Sequence, residues 1–323
     1  KFLIFFNSKP SESFIISTVI LLSGLFVLSL SNLLLNNFDE IYLQYALITW
    51  IWLRLTEGIF NLLINKKINK FIAFSISWMI PIIIICLVGF FHFNLPIFIL
   101  SILALIDFIF FLKINIKNIV QSSWKNFSYI FLVGFVIIAL TTINNDHSVW
   151  MADLAYLGII GDDTLRDAAV LNSWKEYGSM SHGVHGLLFE PYHALFAIFL
   201  SPFVTQSTNV FQVFVIFANI IMPALFIYGC SKIIINVSSK YISKNWIYFL
   251  LLFTLTFSSF GYILGQRSVL MATLLFIPII TLVFSIIDNP KNSNIEIILM
   301  CLIVPFIIFA RAYHGLFVLG LLF

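Results

Sequence analysis

Long apolar runs alternate with short polar turns along most of the chain. A helix needs about 20 apolar residues to cross the hydrocarbon core of a membrane. We place such spans near residues 14–35, 41–64, 71–92, 95–112, 126–143, 209–231, 245–264, 268–287 and 294–311, with a tenth beginning near Leu316. The pattern predicts an all-α, polytopic transmembrane helix bundle of about nine to ten spans.

One long polar segment, residues 144–191, interrupts this pattern. It holds seven of the fourteen acidic residues against only Arg166 and Lys175, which gives it a net charge of −5. Ionisable groups inside or beside a membrane are costly, so a chain that collects them in one loop usually does so for function. We therefore predict a large outer loop that contains interfacial helices and carries the chemistry.

Lysines in the short loops indicate the orientation of the spans. Such loops face the cytoplasm when they are rich in Lys and Arg. The rule places the N-terminus and the turn at residues 66–70 inside, together with Lys232, Lys240 and Lys244. The segment 144–191 then lies outside, provided that His193–Val204 is a short helix lying at or dipping into the outer surface. At twelve residues that stretch is too short to cross.

Composition sets the class of protein and its location. The chain is 61% hydrophobic and only 10% charged, whereas soluble domains are nearer 25% charged. Its abundant Phe, Ile, Asn and Lys indicate an AT-rich bacterial genome, so we expect a multi-pass protein of the bacterial inner membrane. Membrane lipids are an expected partner and nucleic acid is not. We divide the chain into a four-helix extension, 1–125, and a core, 126–323, and expect more chain beyond Phe323.

The acidic segment contains a clear helix start. Asp162 and Asp163 occupy an N-cap and first turn, where carboxylates are favoured by the free backbone N–H groups. Helical spacing runs from Thr164 to Tyr177, and Gly178 would end the helix. One N-cap needs only one carboxylate. We therefore treat Asp162 and Asp163 as candidate catalytic groups and Asp167, one turn later, as a candidate ligand for substrate.

Histidines and arginines supply the other candidate substrate contacts. His182 and His185 lie in a glycine-bearing stretch that would let the backbone approach a ligand. The outer turns are expected to add basic groups to the same cleft, and the full set of substrate-binding candidates beyond Asp167 is His182, His185, His193, Arg267, Arg311 and His314. The histidine spacing matches no zinc pattern. We assign no metal site and no cofactor, and a divalent cation stays open.

The pattern Asp162-Asp163-x-x-x-Asp-Ala-Ala-x-x-x-Ser-Trp-x-x-x-Gly178 resembles the first outer loop of GT-C-type glycosyltransferases. It follows a span and precedes a second short helix and further spans, as in that family. The resemblance covers roughly residues 126–323. It implies a lipid-linked sugar donor, with Asp162 or Asp163 as general base and basic outer-face residues such as Arg267 on the lipid phosphate. In the family this loop follows the first span, whereas here four further spans precede the span at 126–143 that leads into it.

Three other functions stay open. A transporter or flippase would use the charges inside the spans, Arg54, Glu57 and Asp107, as its path, with the acidic loop as a vestibule. A polysaccharide polymerase or ligase and a non-catalytic assembly protein are the others. We predict that Arg54 faces Asp107, Glu57 or both, as a clamp between helices, because an unpaired charge at that depth is costly.

Overall fold

The computed structural model describes residues 11–18, 21–22, 25, 40–95, 97–113, 162–178, 191–204, 213, 217, 221–238, 267–290, 293–310 and 320. Within these ranges all regular structure is helical. The main helices are α1 (Glu40–Asn65), α2 (Lys70–Phe90), α3 (97–113), α4 (Asp162–Tyr177), α5 (Pro191–Leu200), α6 (Met222–Ser238), α7 (Arg267–Asp288) and α8 (Asn294–Ala310). A 3₁₀ turn, Ser201–Phe203, follows α5.

Helix bounds agree closely with the apolar runs. Five predicted spans, near 41–64, 71–92, 95–112, 268–287 and 294–311, correspond to α1, α2, α3, α7 and α8 within two residues at each end. The spans predicted near 126–143 and 245–264 lie outside the described residues, and so does the proposed domain boundary at residue 125. The prediction of an all-helical fold is thus confirmed for the part of the chain that the structure describes.

Two compact units make up the chain, each assembled from separated segments. The first unit comprises residues 1–62, 96–147 and 216–261, and the second comprises 63–95, 148–215 and 262–323. The first unit therefore contains α3, α6 and nearly all of α1. The second contains α2, α4, α5, α7 and α8 together with the 3₁₀ turn.

In the first unit, aromatic rings pack around the middle of α1. Phe14, Phe108 and Phe111 each meet the Trp50 ring edge to face, at centroid distances of 5.1, 5.0 and 5.1 Å respectively. Such contacts add to the burial of apolar area and fix ring orientation. This packing joins α1 to α3 and to the helical segment near Phe14.

In the second unit, α5 is the central element and packs against α2, α4, α7 and α8. Leu195, Phe196, Phe199 and Leu200 are all buried. The prediction of a helix too short to cross, ending near Val204, is therefore confirmed in extent. Protein covers the described side chains of α5 on nearly every side, and its expected position at or dipping into the outer surface stays a prediction.

A proline inside α7 explains one of the contacts that join it to α2. Pro278 has no N–H, so the carbonyl of Leu274, four residues earlier, loses its helical partner. Trp78 of α2 donates its Nε1–H to that carbonyl at 2.8 Å, and the Trp78 side chain is fully buried. The indole thus satisfies a buried acceptor that the proline created.

We expect Trp78→Phe to destabilise the protein by about 1–2 kcal/mol, because it leaves the Leu274 carbonyl without a donor. Pro278→Ala restores a backbone N–H within the helix, so the same tryptophan change should cost less in that background. Thermal unfolding of the four purified variants would measure this coupling. Equal losses in both backgrounds would contradict the account.

The outward-facing residues of several helices are aliphatic or aromatic. The exposed large apolar residues on α3 are Phe98, Ile99, Ile102, Leu103, Leu105, Ile106, Ile109 and Phe110, and on α8 they are Ile295, Ile297, Ile298 and Leu302. Lys113 on α3 and Asn294, Cys301 and Pro305 on α8 are also exposed. Two helices, α2 and the part of α1 from Leu43 to Asn65, are long and apolar enough to cross a membrane by length and composition. In water, apolar surface this extensive would promote association.

Candidate functional site

Helices α2 and α7 pack in opposite directions. Trp78 of α2 contacts Leu274 of α7. One turn earlier on α2, the Ser75 hydroxyl lies 3.4 Å from the carbonyl of Pro278, which is one turn later on α7. From these points, Gly89 lies about 16 Å further along α2 and Arg267 about 10 Å along α7 in the same direction, at 1.5 Å per residue. The C-terminus of α2 and the N-terminus of α7 therefore share one end of the second unit.

Helix α8 returns to the same end. It packs on α7 after a connection of residues 289–293, and near that connection Ser285 Oγ donates to Glu296 Oε1 at 2.7 Å. Two packed helices with so short a connection run antiparallel. The last residue of α8, Ala310, therefore lies toward the end where α7 begins. We call this end of the second unit, marked by Gly89, Arg267 and Ala310, the loop end.

Helix α4 begins and ends as the sequence predicted. It starts at Asp162 and stops at Tyr177. Gly178 adopts a φ of 63°, and its N–H donates to the Trp174 carbonyl at 3.1 Å. A left-handed residue after the last turn closes a helix in this way, and glycine adopts that conformation without a steric penalty.

The C-terminal part of α4 is fixed to the loop end by its tryptophan and lysine. Trp174 donates its Nε1–H to the Gly89 carbonyl at 3.1 Å. Lys175 donates to the Asn94 side-chain oxygen and, at 3.1 Å, to the Ser201 carbonyl. Partial burial lowers the pKa of the Lys175 ammonium. We refer to Gly89, Asn94, Trp174, Lys175 and Ser201 as the α4 dock.

A close approach of two backbones underlies the α4 dock. A Cβ built on Gly89 would lie 1.8 Å from the carbonyl oxygen of Ile198 in α5 and 2.9 Å from Ser201 Oγ. Ser201 in turn donates to the Ile198 carbonyl at 3.0 Å and to the Gly89 carbonyl at 3.4 Å. Only glycine permits this contact, so residue 89 brings α5 and α4 to the end of α2.

The structure describes the backbone positions of some predicted site residues and not of others. Asp162 and Asp163 are the first two residues of α4, Asp167 follows on the same helix, His193 is the third residue of α5 and Arg267 is the first of α7. Their side chains lie outside the described residues. His182, His185, Arg311 and His314 lie outside them entirely, although Arg311 directly follows the end of α8.

Buried ion pairs in the first unit involve the charges expected inside the spans. Arg54 Nε lies 2.9 Å from Asp107 Oδ2, which also accepts from Trp50 Nε1 at 2.7 Å. The predicted pairing of Arg54 with Asp107 is therefore confirmed. Glu57, one turn later on α1, does not pair with Arg54 in this arrangement but with a residue of α6.

That residue is Lys232, and its position shows that the prediction of a loop lysine at 232 was wrong. Lysines at 232, 240 and 244 were expected to mark a cytoplasmic loop, but α6 extends to Ser238 and buries Lys232. Its Nζ lies 2.8 Å from Glu57 Oε2, which also accepts from the Tyr228 hydroxyl at 2.5 Å. Glu57 Oε1 accepts from the Ser11 N–H at 3.2 Å. The lysine is a counter-charge for Glu57 rather than a surface topology signal.

Sequence reasoning missed the α4 dock as well as Lys232. Trp174 was identified only as part of the helix predicted over Thr164–Tyr177, Lys175 as one of two basic residues in the acidic segment, and Gly89 as one residue of an apolar span. A glycine near the end of an otherwise bulky run was the available signal for a close backbone approach. In the described part of the chain no three His, Cys, Asp or Glu side chains are grouped to hold a metal ion.

Comparison with known proteins yields no relative: no family model matches the chain, and neither a curated protein nor a solved structure matches it significantly.

Proposed function

We propose that this chain is a polytopic membrane protein of the bacterial inner membrane, with its acidic segment on the extracytoplasmic side. Two observations support this. Helices α1 and α2 have the length and apolarity of membrane spans. The exposed residues of α3 and α8 are apolar over most of their outward faces, as expected where lipid replaces water.

Within that membrane protein, we infer a glycosyltransferase that uses a polyprenyl-linked sugar donor. One observation carries the inference: the C-terminal part of α4 is fixed at the same end of the second unit at which α7 begins with Arg267 and α8 ends just before Arg311. Asp162 and Asp163 begin the other end of this 16-residue helix, and the proposal requires that their carboxylates and the basic residues at the loop end contact the same phosphate-bearing donor.

The chemistry assigns a role to each class of residue. Asp162 or Asp163 accepts the proton of the acceptor hydroxyl, and the oxygen of that hydroxyl attacks the anomeric carbon of the donor sugar. The bond from that carbon to the phosphate oxygen breaks, and the phosphate leaves with the electron pair. Arginine at positions 267 and 311, with His314, neutralises the leaving group. The remaining candidates, Asp167, His182, His185 and His193, would hold the sugar.

The transporter alternative receives less support. Its path would need Arg54, Glu57 and Asp107 available to a passing solute. Each of the three carries a counter-charge at 2.8–2.9 Å within the first unit. Freeing Asp107 or Glu57 for transport would leave the buried Arg54 or Lys232 uncompensated, at a cost of several kcal/mol. These pairs fit a structural clamp better than a conduction path.

Asp162→Asn and Asp163→Asn test the enzymatic proposal. In cells lacking the gene, we expect the wild-type protein to restore the normal profile of lipid-linked glycans. The variant at the general base should lower transfer by about 10²–10⁴-fold, because proton transfer contributes roughly that factor. Mass spectrometry of the extracted lipid-linked glycans is the measurement.

Glu176→Gln is the matched control, because Glu176 lies exposed on the same helix and the change also removes one negative charge. It should retain full transfer. The double variant of Asp162 and Asp163, expressed at the wild-type level, decides the matter: a normal glycan profile would overturn the catalytic assignment. An unchanged profile on deleting the gene itself would overturn the glycosyltransferase proposal.

A further inference from the structure

The turn that follows α2 presents an unusual group of exposed rings. Phe91 is 61% exposed and Phe93 is 66% exposed, and Phe90, the last residue of α2, is exposed as well. Between them, His92 adopts a φ of 57° in the left-handed region, which is uncommon outside glycine. Three phenylalanines on one short turn expose far more apolar surface than a turn in water needs.

Local hydrogen bonds account for the shape of this turn without those rings. Phe91 N donates to the Leu87 carbonyl at 3.1 Å, His92 N to Gly89 at 3.2 Å and Phe93 N to Val88 at 3.0 Å. The backbone is therefore satisfied, and exposed rings add little to folding. Exposed apolar rings of this number are typical of a surface that contacts a membrane or another molecule.

One ring of the turn is tied to the α4 dock. The His92 ring lies against the Trp174 ring, with centroids 4.6 Å apart and planes at 30°. Just beyond the turn, the Leu95 N–H donates to the Pro202 carbonyl at 3.1 Å. The turn and the C-terminal part of α4 therefore form one packed element, with Phe91 and Phe93 on its exposed side.

The length of α2 indicates what surrounds those rings. With 21 residues it extends about 31 Å, which equals the thickness of the hydrocarbon core of a bilayer. Its exposed residues Ile84 and Leu87 continue directly into Phe90 and Phe91. Phenylalanine is one of the residues that interfacial segments bury at the boundary between headgroups and acyl chains, and the exposed polar residue Asn94 follows directly in the same turn.

We propose that Phe90, Phe91 and Phe93 form a lipid-anchoring surface that inserts at the boundary between headgroups and acyl chains. Through the contact of His92 with Trp174, this surface sets the depth at which the acidic helix α4 lies. The inference rests on the membrane placement in the proposed function, but it does not depend on which reaction is catalysed.

Spin-label depth measurements test the proposal. The chain is labelled at one cysteine at a time in phospholipid nanodiscs, with the other native cysteines replaced by alanine. The labelled positions are Phe91→Cys, Phe93→Cys, Glu176→Cys and the native Cys301. Collision rates with oxygen, which concentrates in lipid, and with a water-soluble nickel chelate give the depth. Cys301 is exposed near the middle of α8, and Glu176 is exposed on α4, so they serve as lipid and water references.

We expect collisions with oxygen to be the more frequent at position 301 and collisions with the nickel chelate at position 176. Labels at 91 and 93 should lie at an intermediate depth. Labels at 91 and 93 that match 176, while 301 stays shielded from nickel, would overturn the anchoring proposal alone. Immobilised labels shielded from both reagents would also overturn it, because they would indicate a protein partner. Nickel access at 301 would overturn the membrane placement and this inference with it.

Discussion

Glu57→Gln is expected to destabilise the protein by about 3–5 kcal/mol, because it breaks a buried ion pair and leaves one charge behind. Glu57 is only 1% exposed and Lys232 only 5%. Glutamine preserves the shape of the side chain, and its amide oxygen can still accept from the Tyr228 hydroxyl, but its NH2 group then faces the Ser11 N–H. The change therefore removes one hydrogen-bond acceptor together with the negative charge that compensates the Lys232 ammonium.

A second substitution separates the pair from simple loss of packing. Lys232→Met removes the positive charge and keeps a long apolar side chain. The double variant, Glu57→Gln with Lys232→Met, buries no charge at this position. It should be more stable than either single variant, as found when buried pairs are replaced as a unit. The free energies of unfolding of the two single variants and the double variant are measured in detergent from the loss of helicity.

Glu296 offers a matched control for the loss of a buried carboxylate. It is 3% exposed, and Ser285 donates to its Oε1, while its Oε2 has no hydrogen-bond partner. No ion pair accompanies it in the described residues. Glu296→Gln should therefore change stability by less than about 1 kcal/mol, since no cation is left uncompensated. Equal effects at positions 57 and 296 would contradict our account of the pair.

Gly89→Ala is the other change with a large expected effect. The new methyl group would lie 1.8 Å from the Ile198 carbonyl oxygen, a backbone atom that cannot rotate away. Helices α2 and α5 must then separate, which also stretches the hydrogen bonds that Trp174 and Ser201 make to the Gly89 carbonyl. We expect a loss of about 3 kcal/mol or more, at the upper end of overpacking effects.

Gly320→Ala is the matched control, because a Cβ there meets no atom within 4 Å. Alanine also favours the helical conformation of residue 320. This variant should unfold at or slightly above the wild-type temperature. The Gly89 variant should in addition show faster proteolysis between residues 162 and 177, since the α4 dock is lost. A Gly89 variant as stable as the control would contradict the close approach.

The sequence predicted local features well. Helix ends at Asp162 and Gly178 follow from capping chemistry, which depends only on neighbouring residues. The bounds of α7 and α8 follow from the length of apolar runs. Arg54 and Asp107 could be paired in advance because a buried charge needs a partner and few were available at the same depth.

Contacts between distant segments were beyond this kind of reasoning. Lys232 lies 175 positions after Glu57, and nothing near it in sequence distinguishes a buried lysine from a loop lysine. The fit of Gly89 against Ile198 depends on how two helices cross. Whether Asp162 and Arg267 act on one substrate stays a prediction, because their side chains lie outside the described residues.

The alternating charges of α1 also bear on how the first unit assembles during synthesis. Arg54 and Glu57 have opposite signs, and so do their partners on α3 and α6. An exchange of α3 and α6 would bring arginine against lysine and glutamate against aspartate, so the wrong arrangement is repelled as the right one is attracted. Arg54 finds its carboxylate once residue 107 is made. Glu57 finds its ammonium only once residue 232 is made, so the charges of α1 are not all compensated until 175 residues after Glu57 have been translated.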